Sequence, residues 1–377
     1  MNNLERNIQD IINKNGPISF KEFMQIALYA PEMGYYNRHI TTIGKKGDFY
    51  TSSSLHKSFS AIFALQAQEI WEILDFPERF VFLEYGAGMG YFAKDFLDYL
   101  QGTCLFEALQ YFIIEINPYM KKNQQEVLKE YAHKVRWVKD ISEMESFKGL
   151  VFSNEVLDAF AVNLIEIKEG IICEVWIDCH DGIFQEILKP CGEEIISYIR
   201  VFCPNLLSPD LIIQSYRTEI NLKIKDWLTA ISSKITEGFI ITVDYGYSAQ
   251  DYYDTERNKG TLLCYYQHQV DDNPYENIGE KDITAHINFS SLVRWGNQLG
   301  IKSCGFTTQG SYIIAMGIDK VIVDLYGNNP DAFELTKIKG LFLPEGFGNT
   351  HKVLVQYKGM RNFSLKGFSL NNSLKRL

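Results

Sequence analysis

The sequence predicts an α/β fold: a doubly wound, mostly parallel sheet with a helical region before it and an antiparallel insertion within it. Three observations carry this reading. From Phe80 onwards, short apolar runs alternate with helical segments, which is the pattern of βαβ units. The first run ends in Leu83-Glu84-Tyr85-Gly86-Ala87-Gly88-Met89-Gly90, where a strand must turn sharply into a helix. Between Val162 and Ile187 the rhythm changes to β-rich alternation, with turn signals at Glu169-Gly170 and Asp181-Gly182.

The elements follow in order. MNNLERNIQDIINKNG reads as an amphipathic helix stopped at Gly16-Pro17, a glycine cap followed by a breaker. Ser19 and Glu22 form a capping-box pattern for a second helix that ends before Pro31. A polar, glycine-rich loop follows, with Asp48 and Thr51 in a segment able to close over a site. A long helix spans Leu55 to Leu74, with Phe59, Ile62, Phe63, Ile70 and Trp71 on one face. Strands are expected at Phe80 to Glu84, Tyr111 to Glu115, Val135 to Lys139 and Leu150 to Ser153, the last followed by a helical start. After the insertion come a helix from Thr218 to Ile235 and a strand from Phe239 to Val243 that ends in Asp244-Tyr245-Gly246. A helix from Phe289 to Leu299 and two late strands, Tyr312 to Met316 and Lys352 to Gln356, complete the reading. The expected division is a helical region with an active-site loop (1–76), the first part of the ligand-binding domain (77–160), an inserted subdomain (161–235) and the remainder (236–377).

Composition narrows the function. The 377 residues are 46% hydrophobic and 22% charged, an ordinary globular balance. The net charge of −10 lacks the basic face that phosphate binding demands. The basic pair Lys121-Lys122 reads as a solvated helix face, so no nucleic-acid partner is expected. Seven cysteines, none spaced as Cys-x-x-Cys, signal neither a disulfide framework nor a zinc site. No stretch approaches the ~18 apolar residues of a membrane span. The N-terminus lacks the features of a signal or transit peptide. The expected compartment is the bacterial cytoplasm, or an organelle matrix if a presequence has been removed.

The glycine turn discriminates between ligands. A dinucleotide fingerprint, G-x-G-x-x-G, starting at Gly86 would need glycine at position 91, which is Tyr91. The observed E-x-G-x-G-x-G resembles motif I of class I methyltransferases, so Glu84, Gly86, Gly88 and Gly90 are candidate S-adenosylmethionine contacts. Glu115, closing the second strand, is placed to accept hydrogen bonds from ribose hydroxyls, and Asp140, ending the third, to face the adenine amino group. As strand-end acids both also read as helix caps. In an open parallel sheet the ligand crevice lies at the C-terminal strand ends. Asn154, Glu155 and Asp158, after the fourth strand, therefore line the expected site. Methyl transfer needs alignment of nucleophile and methyl group and sometimes removal of a proton. A guanidinium acceptor calls for carboxylates that orient it. Glu155 is the first candidate and Asp158 the second, with helix capping as the alternative role for Asp158.

Longer strings carry a resemblance. ISFKEFMQIALYAPEMGYY, LEYGAGMGYFAKDFL, IIEINP, SNEVLDAFAV, GFIITVDYG, KDITAHINF, TQGSYIIAMGI and LPEGFGNTHKVL occur in this order. With them the chain resembles the MidA family of methyltransferases over almost its whole length. The resemblance implies a class I methyltransferase fold with a second α+β portion and S-adenosylmethionine as donor. It also implies, from the mitochondrial members, a protein arginine of a complex I core subunit as acceptor. Departures fall on the substrate side: Thr51-Ser52-Ser53-Ser54 lacks an expected acid, Leu263 replaces an arginine, and Phe160-Ala161 replaces Leu-Pro. His268 and His286 lie in family-like strings but read as structural histidines, and Asp282 as a possible helix cap. Three other functions compete: methyl transfer to a small molecule, a non-catalytic assembly factor, and a dinucleotide oxidoreductase disfavoured by Tyr91.

Overall fold

Asn2 opens the first helix with a reciprocal cap. Its side chain accepts from the Glu5 N–H at 2.9 Å, and its own N–H donates to the Glu5 carboxylate at 2.7 Å. The computed structural model describes residues 2–38, 55–207, 215–267, 269–327 and 329–377. Asp48, Thr51 to Ser54 and His268 lie outside the described residues.

Helix α1 (Asn3–Asn15) buries Leu4, Ile8 and Ile12. The short strand β1 (Ile18–Ser19) leads into α2 (Phe20–Tyr29), whose first turn is capped by Ser19. Helix α3 (Ser58–Ile73) and strand β2 (Phe80–Tyr85) follow, then α4 (Tyr91–Leu100), β3 (Leu109–Ile114), α5 (Pro118–Val127), β4 (Val135–Val138) and β5 (Phe147–Asn154). The insertion contributes β6 (Asn163–Lys168), β7 (Ile171–His180), β8 (Ile183–Pro190), α6 (Glu193–Phe202) and β9 (Ser215–Ile220). Helix α7 (Lys223–Lys234) returns the chain to the main sheet as β10 (Ile235–Tyr247). A small sheet of β11 (Leu263–Tyr266), β12 (Gln269–Asp271) and β13 (Asp282–Thr284) comes next, then β14 (Ile287–Asn288) and α8 (Phe289–Gln298). The chain closes with β15 (Ile301–Thr308), α9 (Gln309–Met316), α10 (Ile318–Tyr326), α11 (Ala332–Phe342) and β16 (His351–Lys358).

The main sheet runs β15-β16-β10-β5-β2-β3-β4, with β14 beside the end of β10. The pairs β10–β5, β5–β2, β2–β3 and β3–β4 are parallel, whereas β16 is antiparallel to both neighbours. Strand order therefore reverses between β2 and β5, and a ligand crevice opens at such a switch point. One core packs α3 and α4 on one face, with Phe92 stacked on Phe152 at 4.5 Å. A second packs α7 and α8 on the other face around Trp227, Leu228 and Phe289. A third joins α1 and α2 to the inserted sheet, β1-β7-β6-β9 with β8 on β7, through Ile8, Phe23, Val175 and Ile177.

Three expectations change. Residues 215–220, partly assigned to a helix, form β9 and pair with β6, because Tyr216, Thr218 and Ile220 alternate inward. Tyr312 to Met316 is helical, not a strand: Thr308 caps the helix, accepting from the Ser311 N–H, and Gly317 at φ 95° ends it. A short helix buried on most sides shows an apolar run that periodicity cannot tell from a strand; the strand lies just before it, as β15. No helix follows β5 either. Residues 155–162 are irregular and lead directly into β6, so Asp158 is not a helix cap.

Candidate active site

At the end of β2 the chain takes left-handed backbone at Gly86 (φ 65°), Gly88 (φ 52°) and Gly90 (φ 83°) before α4 begins. A Cβ on Gly86 would also meet Val156 Cγ2 at 3.0 Å. The turn forms one wall of a cavity of about 680 Å³, within the usual range for a small-molecule site. Glu84, Glu115, Asp140, Asn154 and Glu155 line the same cavity. The structure thus brings together every candidate cofactor residue but Gly90 with Glu155; Gly90 caps α4. Asp158 is set behind this wall and is not among the lining residues.

The cofactor side is a closed network. Glu115 follows β3, accepts from the Asn117 N–H at 2.8 Å and from Gln124 Nε2 at 2.8 Å. Gln124 also donates to the Gly88 carbonyl at 2.7 Å and accepts from Trp137 Nε1 at 2.9 Å. It therefore ties the glycine turn to the acid that faces the cavity. Burial raises the Glu115 carboxyl, and the hydrogen bonds oppose that rise. Glu84 accepts from the Tyr111 hydroxyl at 2.7 Å, and burial pushes its carboxyl up to about 8. Asp140 accepts from the Ser142 N–H at 2.8 Å; hydrogen bonds from Ser142 hold it below the usual carboxylate range. Trp227 of α7 completes this side, edge-on to Tyr85 at 5.6 Å.

The other side is more acidic and less fully paired. Glu155 sits directly after β5 at φ 51°, a left-handed conformation that costs a non-glycine residue about 1–3 kcal/mol. Its N–H donates to the Val243 carbonyl at 2.9 Å, which holds the strained residue at the sheet edge. His351 Nε2 stands 3.6 Å from its carboxylate. Asp158 accepts a hydrogen bond from the Tyr245 hydroxyl, and burial pushes its carboxyl up to about 7. Asp244, fully buried at the end of β10, accepts from the Leu157 and Tyr245 N–H groups. Burial, then the charges of Asp158 and Glu155, hold Asp244 well above the usual carboxylate range.

Residues from distant segments close the cavity. Tyr29 and Tyr36 stack at 5.5 Å and line it, the first donating to the Ala159 carbonyl and the second to Asp282. Asp282 is thus an acceptor within β13 and caps no helix. Asn117 donates to the Tyr36 carbonyl at 2.7 Å, pinning this segment to the cofactor side. Lys223 lies over the Tyr29 and Phe160 rings and donates to Gln25 at 3.3 Å. Sequence reasoning missed Tyr29, Tyr36, Gln124 and His351, because nothing local marks them. His286 packs on Tyr245 and Tyr247, and burial pushes it down to about 4. Among the described residues no group of histidine, cysteine and acid side chains is disposed to hold a metal, and no helix is long and apolar enough to cross a membrane.

The site suits S-adenosylmethionine on its own geometry: three left-handed glycines give close backbone approach, and a held carboxylate faces the cavity one strand away. Comparisons agree. A family of S-adenosyl-L-methionine-dependent methyltransferases matches residues 62–307. A Burkholderia thailandensis protein solved with S-adenosylhomocysteine bound superposes with a TM-score of 0.88 at 25% identity, covering 99% of this chain and 96% of that one. A native structure of a COG1565 superfamily protein from the same organism gives 0.85 at 26%, with the same coverage. The Drosophila melanogaster "Protein arginine methyltransferase NDUFAF7 homolog, mitochondrial" is 23% identical over 95% of this chain and 85% of its own. The Danio rerio "Protein arginine methyltransferase NDUFAF7, mitochondrial" is 24% identical over 84% and 77%. With its β2 turn, its reversed β16 and this match over most of its length, the chain belongs to the family of S-adenosyl-L-methionine-dependent methyltransferases, with S-adenosyl-L-methionine as its cofactor.

Proposed function

We propose that this enzyme methylates an arginine side chain of a protein, with a core subunit of a complex I-type dehydrogenase as acceptor. The observation that carries the reading is Glu155: a strained carboxylate on the cavity wall, beside the glycine turn, with two further acids behind it. A cavity with this excess of acids favours a cationic acceptor, and a carboxylate orients a guanidinium through paired hydrogen bonds. The names of the relatives point the same way.

In this reading Gly86, Gly88 and Gly90 let the backbone approach the methionine part of the cofactor, Glu115 accepts from the ribose, and Asp140 faces adenine. Glu84 and Asn154 complete the lining. The bound cofactor supplies an activated methyl group on a sulfonium. Glu155 holds the guanidinium so that one nitrogen lines up with that methyl group, which is the main catalytic demand of a direct displacement. Asp158, behind the wall, acts through its neighbours. The inserted strands β6 to β9, with α1 and α2 packed on them, form the lobe that meets the protein substrate. The setting is the bacterial cytoplasm, or the mitochondrial matrix for a chain whose presequence has been removed.

The test is methyl transfer from isotopically labelled S-adenosylmethionine to the cognate complex I core subunit, freshly translated, with the label located by mass spectrometry. Label on an arginine, lost in Glu155→Ala with S-adenosylhomocysteine affinity kept, is the expected result. Label on a free metabolite, or equal transfer by Glu155→Ala, overturns it.

A further inference from the structure

Methylation of a guanidinium nitrogen forms an N–CH₃ bond and breaks an S–CH₃ bond, whose electron pair stays on sulfur. The nitrogen then gives up one proton, so the site needs a group to take it. Glu155 faces the acceptor, but directly behind it the structure holds a second pair of acids that the binding role leaves unexplained.

Tyr245 joins this pair. Its N–H donates to Asp244 Oδ1 at 2.9 Å, and its hydroxyl donates to Asp158. The other Asp244 oxygen accepts from the Leu157 N–H, so strand ends β5 and β10 are stitched together at this point. Asp158 is only 5% exposed, yet its Oδ1 has no hydrogen-bond partner. His351 Nε2, equally buried, lacks one too and lies 3.6 Å from the Glu155 carboxylate. A buried acid oxygen left open beside a carboxylate holds a proton far more readily than an exposed acid.

The surroundings add negative rather than positive charge. The groups felt around Asp158 are Glu155 on its own segment, Asp244 and Tyr245 on β10, and His351 on β16. Tyr29 and Tyr36 from the N-terminal region, Asp282 on β13 and Tyr265 on β11 complete the shell. Among the charge interactions that act most on Asp158, the one with the His351 imidazole favours its ionised form.

We infer that Asp158 takes up the proton released in methyl transfer by way of Glu155, which faces the acceptor, and that Asp244 and Tyr245 are the positioning residues that set it for this role. The inference rests on the proposed arginine acceptor. An acid poised near neutrality is the best proton acceptor at physiological pH, and Asp158 is pushed up to about 7 by its burial.

Two measurements on the full chain test this. Infrared spectra of the complex with S-adenosylhomocysteine, taken from mildly acid to mildly alkaline pH, should show a protonated carboxyl band that vanishes near neutrality. Asp158→Asn should lose that band while keeping its S-adenosylhomocysteine affinity. Tyr245→Phe, which removes the hydrogen bond that favours the ionised acid, should move the midpoint to higher pH. In single-turnover methyl transfer, Asp158→Asn should slow the reaction about 100-fold and flatten its rise with pH. Asp244→Ala should slow it too, with rescue by Asp244→Asn, which keeps a neutral acceptor for the Tyr245 N–H. An unchanged band in Asp158→Asn together with an unmoved midpoint in Tyr245→Phe overturns the proton-uptake role and leaves arginine transfer standing. A normal titrating band with the label found on a metabolite overturns the acceptor on which the role rests.

Discussion

The two walls of the cavity are built on different terms. On the cofactor wall, Glu115, Asn117, Gln124 and the Gly88 carbonyl are all partnered within one network, and of the side chains described there Trp227 Nε1 is the buried polar atom left open. Behind the acceptor wall, Asp158 Oδ1, His286 Nδ1 and His351 Nε2 are buried without partners, and on it Glu155 holds a left-handed backbone. A buried polar group without a partner costs roughly 1–3 kcal/mol. The fold therefore leaves more buried polar groups open on one side than on the other. The difference teaches where the protein is preorganised to bind and where it is set to react, since strained and unpaired groups gather where chemistry is done.

The sharpest way to break this contrast is to put strain into the glycine turn. Gly86→Val adds a β-branched side chain at φ 65° whose Cβ alone would reach Val156 Cγ2 at 3.0 Å. S-adenosylhomocysteine affinity, read by calorimetry, should fall at least about 100-fold, the equivalent of roughly 3 kcal/mol. Unchanged affinity would mean the cofactor does not use this turn. Glu115→Ala is the milder version. It removes the acceptor of two hydrogen bonds and frees Gln124 from one side, and hydrogen bonds to a charged group are worth about 1.5–3 kcal/mol. Affinity should drop about 10- to 100-fold with the fold intact, and a change smaller than threefold would detach Glu115 from the ligand.

The same contrast explains what was legible beforehand. The glycine turn and Glu115 announce themselves because their chemistry is local: a strand, a turn and the next strand end within one βαβ unit. Asp244-Tyr245 was legible as a strand end near the crevice, but its bond to Asp158 spans 87 residues. Tyr29 and Tyr36 reach the cavity, and His351 reaches Glu155, from segments distant in the chain, so spacing cannot reveal them. Gln124 lies on an ordinary polar helix and shows its value only when Gly88, Glu115 and Trp137 converge on it. Two of the three secondary-structure errors have one cause. Buried helix α9 and half-buried strand β9 both depend on what covers them, which local periodicity does not record.

The smallest effect sharpens the picture of the cofactor wall itself. Glu84 is buried against Tyr111, and its carboxyl is pushed from an ordinary value of 4.5 up to about 8 by desolvation. A carboxyl whose folded value is raised binds its proton more tightly in the native state. Below about pH 4.5 the group is protonated in both states and costs nothing through linkage. As pH rises towards 8 the unfolded chain ionises first, so stability falls across that window and levels off above it. Glu84→Gln keeps an acceptor for the Tyr111 hydroxyl at 2.7 Å but cannot ionise. Its denaturant midpoint should match the wild type under acid conditions and exceed it increasingly towards alkaline pH, by roughly 1–3 kcal/mol once other titrations and structural relaxation are allowed for. Parallel stability curves for the two proteins would show that Glu84 is ionised in the native state, and would place a charge, rather than a neutral hydrogen-bonding acid, beside the glycine turn.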